Sequence, residues 1–216
     1  MTTQLTNITY RHDMANEQPL FSRYSHVFER GEMVAVTGPS GAGKTTLLSL
    51  LSLLVQPESG DVVVAGYAMA DASEDERQLV RRKEIGMIFQ TARVFSQLTV
   101  AEHVRFAQLC SDAPASQAQD MDRLLVALGL SERLQAVPMA LSGGERTRLA
   151  SLLALAKQPS LLLADEPTAS LDRRNAEVLL GLMRETAEQH GTTAVLVTHD
   201  PVAMSACDRN LVLEKR

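Results

Sequence analysis

A glycine-rich segment of eight residues limits most strongly what this chain can fold into. The segment reads Gly38-Pro39-Ser40-Gly41-Ala42-Gly43-Lys44-Thr45 and matches G-x-x-x-x-G-K-[ST] at every fixed position. It follows the apolar run 33–37 and precedes the helical run 46–55, the strand-to-helix context that the motif requires. Successive N–H groups of such a turn face inward, and the helix N-terminus adds positive potential. The sequence therefore predicts a phosphate-binding loop.

Different residue types in this loop are expected to do different work. Lys44 would reach the β- and γ-phosphates of a nucleotide, and the Thr45 hydroxyl would bind Mg²⁺. The glycines allow the tight turn that brings backbone N–H groups close to the phosphates. The predicted nucleotide-binding residues of this segment are Gly38, Pro39, Ser40, Gly41, Ala42, Gly43, Lys44, Thr45 and Thr46.

Two acidic residues follow a second buried strand. The apolar run 161–164 is followed directly by Asp165 and Glu166. A carboxylate at the carboxyl edge of a strand beside a phosphate loop can hold Mg²⁺, usually through water. Asp165 is therefore predicted to hold the metal ion through water, and Glu166 to polarise the attacking water.

Alternating strand and helix patterns predict an α/β architecture with a largely parallel sheet. The predicted strands are residues 4–9, 33–37, 61–65, 86–89, 161–164, 194–198 and 211–213. Residues 91–157 interrupt the alternation because they are mainly helical, and they predict a helical lobe. We therefore expect a single domain over residues 1–216, in which residues 1–90 and 158–216 form the core. A small antiparallel β element is expected near the N-terminus.

Composition excludes several functional classes. The formal net charge of −5 argues against a nucleic-acid partner, which usually needs a basic surface. The longest apolar stretch, residues 47–55, is far shorter than the roughly 20 residues of a transmembrane helix. Cys110 and Cys207 lie far apart in the sequence, which fits a reduced compartment. A cytoplasmic protein is predicted, whose membrane part, if any, belongs to another chain.

A second anion site is predicted in the segment Leu141-Ser142-Gly143-Gly144-Glu145, which opens another helix. One chain has no evident need for two γ-phosphate sites. A head-to-tail dimer does need them, since each nucleotide would lie between one chain's phosphate loop and the other chain's Ser142, Gly143, Gly144 and Glu145. An ATP-dependent dimer of this chain with itself is therefore expected.

At this point the sequence resembles the ATP-binding subunits of ABC transporters over essentially its whole length. The matching motifs occur in the family's order. They are the phosphate loop, Gln90 after the strand 86–89, the signature Leu141–Glu145, Asp165-Glu166-Pro167-Thr168, Ala169-Ser170-Leu171-Asp172 and Thr198-His199-Asp200. The resemblance implies a P-loop NTPase core of ABC ATPase type with a helical lobe, and it implies ATP and Mg²⁺ as cofactors.

The resemblance also implies roles for individual residues. Gln90 would contact Mg²⁺ or the attacking water and sense the γ-phosphate. Glu166 would be the general base, and His199 would hydrogen-bond both the γ-phosphate and Glu166. Asp172 would lie across the dimer interface and link the two sites. Together with Lys44, these groups supply the positioning and charge stabilisation that phosphoryl transfer needs.

In two respects the sequence departs from the family pattern. An aromatic residue near the N-terminus usually stacks on adenine, and register places His12 there, with Tyr10 two residues earlier. His12 is the preferred candidate, because Tyr10 alternates with Ile8 and can point into the sheet. The signature also ends in Glu145 where glutamine is more frequent. This glutamate removes no group that hydrolysis needs.

Within the family the sequence resembles the branch for lipoprotein release, macrolide export and cell division. The supporting features are residues 85–90 and 98–103 and the alanine at position 164. The expected function is ATP hydrolysis that drives an integral membrane permease subunit of export or extraction type from the inner face of the membrane. Residues 91–98 would receive the permease, with Val94, Phe95 and Leu98 as contacts unless they pack inside the lobe.

Two alternatives to the transporter function stay open at this level. One is a soluble ABC ATPase that serves a cytosolic assembly machine, for example in iron–sulfur cluster biogenesis. The other is a regulatory dimer that binds ATP without hydrolysing it, against which intact Glu166 and His199 argue.

Overall fold

The computed structural model describes residues 2–12, 18–110 and 116–215. In this part of the chain the strands fall into two sheets, one parallel and one antiparallel. The strands are β1 (Thr3–Tyr10), β2 (Phe21–Phe28), β3 (Met33–Thr37), β4 (Ser59–Val64), β5 (Tyr67–Ala68), β6 (Ile85–Ile88), β7 (Leu161–Asp165), β8 (Thr193–Val197) and β9 (Arg209–Val212).

The larger sheet has five parallel strands in the order β6-β7-β8-β3-β9. Its central strands are apolar along their length, and every residue of β8 is buried. Such continuous burial is typical of parallel strands that are covered on both faces. Because all five strands run in one direction, the loops that follow β3, β6, β7 and β8 share one edge of the sheet.

The smaller sheet is antiparallel, with the order β2-β1-β4-β5, and it is the β element expected near the N-terminus. Strand β2 was not predictable from the sequence pattern. Residues 22–27 of this strand are exposed or half-buried, since β2 lies at the sheet edge and only its terminal residues Phe21 and Phe28 are buried. Half-exposed edge strands lack the apolar pattern by which buried strands are recognised.

The helices are α1 (Lys44–Leu51), α2 (Glu74–Glu84), α3 (Val100–Cys110), α4 (Ser116–Ala127), α5 (Gly143–Leu155), α6 (Arg173–His190) and α7 (Pro201–Ser205). The described residues between 91 and 157 contain only helices and two 3₁₀ turns, Ser131–Arg133 and Pro138–Ala140. The helical run predicted over 46–55 is displaced. Helix α1 begins two residues earlier, at Lys44, and ends at Leu51, and Leu53 has a φ of 59° that no helix continues through.

Two hydrophobic clusters cover the faces of the parallel sheet. One cluster packs the sheet against α6 and the helices of the helical lobe, α5 among them. The other cluster packs the sheet against α1 and the antiparallel sheet. Helix α6 buries apolar residues at helical spacing, namely Ala176, Leu179, Leu180, Met183 and Ala187, and the last four belong to the first cluster. Among the described residues, no helix has both the length and the apolar character needed to cross a membrane.

Candidate active site

The phosphate loop connects β3 to α1, as its sequence predicts. Gly38 has a φ of 141°, and a Cβ at this position would lie 2.3 Å from the Leu213 carbonyl oxygen. Gly43 is the N-cap of α1 in the left-handed region, with a φ of 92°. Both positions therefore require glycine, for close approach at the first and for backbone conformation at the second. The loop's N–H groups and the start of α1 lie at the shared edge of the parallel sheet.

Lys44 is held against the phosphate loop itself. Its Nζ donates hydrogen bonds to the carbonyl oxygens of Gly38 and Pro39, at 2.7 and 3.0 Å. The side chain thus folds back over the loop and keeps its positive charge where an anion bound by the loop would lie. Thr45, the next residue, is exposed, so its hydroxyl is accessible to a ligand.

His12 lies beside the same loop. Its Nε2 is 2.9 Å from the Oγ1 of Thr46, the third residue of α1. Tyr10 contacts the His12 ring edge-on, with the centroids 5.4 Å apart, and its own side chain packs against the cluster beneath the antiparallel sheet. His12 thus lies exposed beside the start of α1, whereas Tyr10 packs toward the core. Alternation alone would place residues 10 and 12 on one face, but β1 ends at Tyr10 and His12 lies beyond the strand.

The two acidic residues lie at the same sheet edge as the phosphate loop. Asp165 ends β7, and Glu166 follows with a φ of 46°. Burial and the neighbouring Glu166 charge raise the pKa of Asp165, while Lys44 opposes the rise. The influence of Lys44 on this carboxyl group agrees with the sheet order, which brings the ends of β3 and β7 together.

Glu166 is oriented by the end of β8. Its Oε2 accepts hydrogen bonds from the Thr198 hydroxyl at 3.2 Å and from the His199 backbone N–H at 3.4 Å. Its own N–H donates to the Val197 carbonyl at 2.8 Å. The expected contact between Glu166 and His199 therefore involves the backbone of His199, whose side chain is exposed. Thr198 is part of the motif Thr198-His199-Asp200, but sequence reasoning assigned no role to its buried hydroxyl.

Gln90 comes two residues after the end of β6, the neighbour of β7. Its side chain is exposed at the edge that also holds Asp165. The parallel order of the strands thus brings Gln90, Asp165, Glu166, His199 and the phosphate loop to one edge, although they are widely separated in sequence.

The signature segment forms the start of α5. Ser142 is the N-cap, and its Oγ accepts a hydrogen bond from the Glu145 N–H while the Glu145 carboxylate accepts one from the Ser142 N–H. This reciprocal pair is a capping box. The intrahelical ladder begins with Arg146 N–H bonded to the Ser142 carbonyl at 3.0 Å. The N–H groups of Gly143 and Gly144 consequently precede the ladder and point from the helix start.

The signature packs on the segment that contains Asp172, within the same chain. A Cβ on Gly144 would lie 3.0 Å from the Ser170 carbonyl oxygen, and the Thr147 hydroxyl is 2.7 Å from the Ser170 hydroxyl. Asp172 itself is the N-cap of α6, where it accepts hydrogen bonds from Asn175. Among the described residues, no hydrogen bond joins residues 142–145 to residues 38–46.

Comparison with known proteins decides the family. The model of the ABC transporter family matches residues 21–169, which is more than half of the chain. This chain belongs to the ABC transporter family. It is the ATP-binding subunit type of that family and an ATPase, which converts ATP and water to ADP and phosphate.

Several relatives are similar over most of their length. The chain is 38% identical over 186 residues to the lipoprotein-releasing system ATP-binding protein LolD of Shewanella sp. (strain MR-4), covering 86% of this chain and 80% of the relative. It is 37% identical to an uncharacterized ABC transporter ATP-binding protein of Mycobacterium tuberculosis over 214 residues, covering 98% of this chain and 86% of the relative.

Solved structures agree with the fold. A dimeric ATP-binding cassette in a post-hydrolysis state, bound to ADP and Pi, is 30% identical with a TM-score of 0.87, covering 100% of this chain and 97% of that one. A second dimeric structure of a bacterial ABC transporter cassette is 31% identical with a TM-score of 0.86, covering 99% and 94%. The predicted ABC ATPase fold is confirmed.

Proposed function

We propose that this chain is the ATP-hydrolysing subunit of an ABC transporter that closes as a head-to-tail dimer and drives an integral membrane permease of export or extraction type. The observation that carries the proposal is the placement of two anion-binding segments. The phosphate loop lies at the carboxyl edge of the parallel sheet, whereas the signature packs on residues 170–172 and has no hydrogen bond to the loop in the described residues. A second copy of the chain brings its signature to the phosphate loop of the first copy, which one copy alone cannot do.

In this proposal Lys44 and the loop amides bind the β- and γ-phosphates, and Glu166 acts as the general base. Glu166 lies at the right edge of the sheet, and Thr198 and the His199 N–H fix its carboxylate. His199 and Gln90 lie at the same edge with exposed side chains, free to turn toward a γ-phosphate. His12, held beside Thr46, is the proposed adenine contact. Asp172 is proposed to meet the partner protomer.

Magnesium fits the residues of this edge. The Thr45 hydroxyl, the Gln90 amide oxygen and the Asp165 carboxylate are the hard oxygen donors that this ion prefers, with Asp165 acting through water. Burial, together with the charge of the neighbouring Glu166, raises the pKa of Asp165 against the opposing charge of Lys44. A divalent cation supplies the missing positive charge there and, when bound, offsets the charge on the transferred phosphoryl group.

The proposed permease contact is the segment after Gln90. Phe95 is 54% exposed and stacks edge-on against Phe106, itself 46% exposed, with centroids 5.3 Å apart. Val94, in contrast, packs against the core, so it is a poor candidate for a partner contact. Exposure of two aromatic rings to water is energetically unfavourable, and such a pair is typical of a surface that another protein covers.

Relatives with lipoprotein-releasing names support the export or extraction branch, with the chain on the inner face of the membrane through its permease. The test is affinity capture of a tagged Glu166→Gln variant from its own cells in mild detergent with ATP, followed by mass spectrometry. We expect a multi-spanning membrane protein at comparable stoichiometry.

The control for this capture is the same bait with Phe95→Ala and Phe106→Ala, which should lose the membrane protein while still binding ATP. Recovery of soluble proteins alone, unaffected by the aromatic changes, would favour a cytosolic assembly ATPase instead. Recovery of the chain alone, with no turnover in the unmodified protein, would favour a regulatory dimer.

A further inference from the structure

The signature of this chain contains a carboxylate where an anion is expected to bind. Glu145 is the third residue of α5, and its Oε2 lies 2.8 Å from the Ser142 backbone nitrogen. Its pKa is lowered to about 2 by hydrogen bonds from Ser142 and Arg133, so it is ionised at any physiological pH. A negative charge at this helix start opposes the approach of a γ-phosphate.

Arg133 compensates this charge from a different element. Its Nε donates to the Glu145 Oε1 at 2.8 Å, across from the 3₁₀ turn Ser131–Arg133 to the first turn of α5. Both carboxylate oxygens are therefore occupied, one by Ser142 and one by Arg133. The Glu145 side chain is only 14% exposed, while that of Arg133 is 53% exposed. The exposed guanidinium is thus paired with a carboxylate that is itself largely covered.

We propose that Arg133 is a positioning residue that neutralises Glu145 and so makes the carboxylate-containing signature able to receive the γ-phosphate of the nucleotide bound to the partner protomer. This inference rests on the proposed sandwich dimer. Loss of Arg133 leaves Glu145 in place with its charge uncompensated, so the same capping box that shapes α5 then repels the nucleotide. When the charges of both Arg133 and Glu145 are removed, no uncompensated carboxylate is left to repel the γ-phosphate.

The test measures the dissociation constant of the ATP-bound dimer by sedimentation in a Glu166→Gln background, which prevents turnover. Arg133→Gln is expected to weaken dimerisation about tenfold at low ionic strength, with a smaller effect as salt screens the charges. The double variant Arg133→Gln, Glu145→Gln is expected to recover to within about threefold of the parent, because the repelling charge is gone. Arg133→Lys keeps the positive charge and is expected to retain most of the affinity.

A matched control is Arg123→Gln. Arg123 pairs with Glu185 at 2.6 Å and is 50% exposed, so this variant makes the same charge change at a site outside the proposed interface. It is expected to dimerise like the parent. Thermal melting of each variant shows whether it is folded. If Arg133→Gln is not folded, the dimer dissociation constant of Arg133→Lys is used in its place.

The outcomes separate this inference from the proposed function. A parent that stays monomeric with ATP would overturn the sandwich dimer and this inference with it. A parent that dimerises together with an unimpaired Arg133→Gln variant would overturn this inference alone. So would an impaired Arg133→Gln variant that Glu145→Gln does not rescue, because Arg133 would then act on the nucleotide directly.

Discussion

Glu166 is held in an uncommon conformation at the end of β7. Its φ of 46° lies in the left-handed region, which costs a residue with a side chain roughly 1 kcal/mol or more. The contacts of its N–H and its carboxylate all go to residues 197–199 at the end of β8. The neighbouring strand β8 therefore sets the orientation of the Glu166 carboxylate, the proposed general base. The buried hydroxyl of Thr198 is the side-chain group that holds this carboxylate.

Thr198→Val tests this role at the level of one hydroxyl. Valine has nearly the same shape but cannot donate, so Glu166 loses its side-chain partner. We expect the ATPase kcat to fall about fivefold to tenfold with the KM for ATP unchanged, since positioning acts on the chemical step. Thr198→Ser keeps the hydroxyl and should retain activity within about twofold. Steady-state kinetics of the three proteins would contradict the role if valine changed the KM alone.

Lys44→Ala tests the phosphate loop. The lysine is the charged side chain that already folds over the loop, bonded to the Gly38 and Pro39 carbonyls. Its removal should weaken ATP binding about tenfold to a hundredfold, the size expected for a lost charge-assisted hydrogen bond. Glu166→Gln is the counterpart, because it should bind ATP normally while losing turnover by about two to three orders of magnitude. Calorimetric titration with ATP distinguishes them, and equal affinities for both variants would contradict the role of Lys44.

Among the described residues, helices α2, α3 and α5 each begin with a capping box, and the two serine caps, on α2 and α5, allow stability and function to be separated. Ser73 caps α2 and Ser142 caps α5, each with a glutamate three residues later. Ser73→Ala and Ser142→Ala should each lower the free energy of unfolding by about 1 kcal/mol. Only Ser142→Ala should also lower ATPase activity, since only α5 is proposed to meet a nucleotide. Denaturant unfolding and turnover of the pair provide the comparison, and parallel losses of activity would contradict the proposed signature role.

The start of α5 should also depend on pH. The pKa of Glu145 falls from 4.5 to about 2 on folding, so its charged form stabilises the folded state. This stabilisation is complete above the unfolded pKa and is lost as the pH falls from about 4.5 toward 2. The difference in melting temperature between the unmodified protein and Glu145→Gln should therefore shrink over that range. A difference that stayed constant down to pH 2 would show that the charge of Glu145 does not stabilise the helix.

Elements with a strong local signal were predictable from the sequence, and those without one were not. The apolar strands β3 and β7 were recognisable because burial imposes their pattern. Strand β2 was not, since an edge strand needs few apolar residues. The same holds for the site. The phosphate loop is a local motif, whereas the contacts of Glu166 with Thr198 and of Glu145 with Arg133 join residues that only the fold brings together.

On the scale of the whole molecule, the two anion-binding segments belong to different layers. The phosphate loop is fixed by the parallel sheet, and the signature is fixed by α5, which packs on residues 170–172. The proposed two-fold dimer would overcome this separation, because each protomer would present its signature to the other protomer's loop. Two variants that are each inactive therefore make a strong test when they are mixed.

Lys44→Ala lacks a working loop but keeps its signature, and Ser142→Arg lacks a working signature but keeps its loop. In a head-to-tail heterodimer, the loop of the Ser142→Arg chain meets the intact signature of the Lys44→Ala chain, so one of the two sites is complete. Random pairing of an equimolar mixture should restore up to about a quarter of the unmodified ATPase activity if the sites act independently. A chain carrying both substitutions, mixed in the same proportion with either single variant, is the control, because no pair in that mixture has a complete site. If each chain completed its own site, the mixture of single variants would stay as inactive as its components.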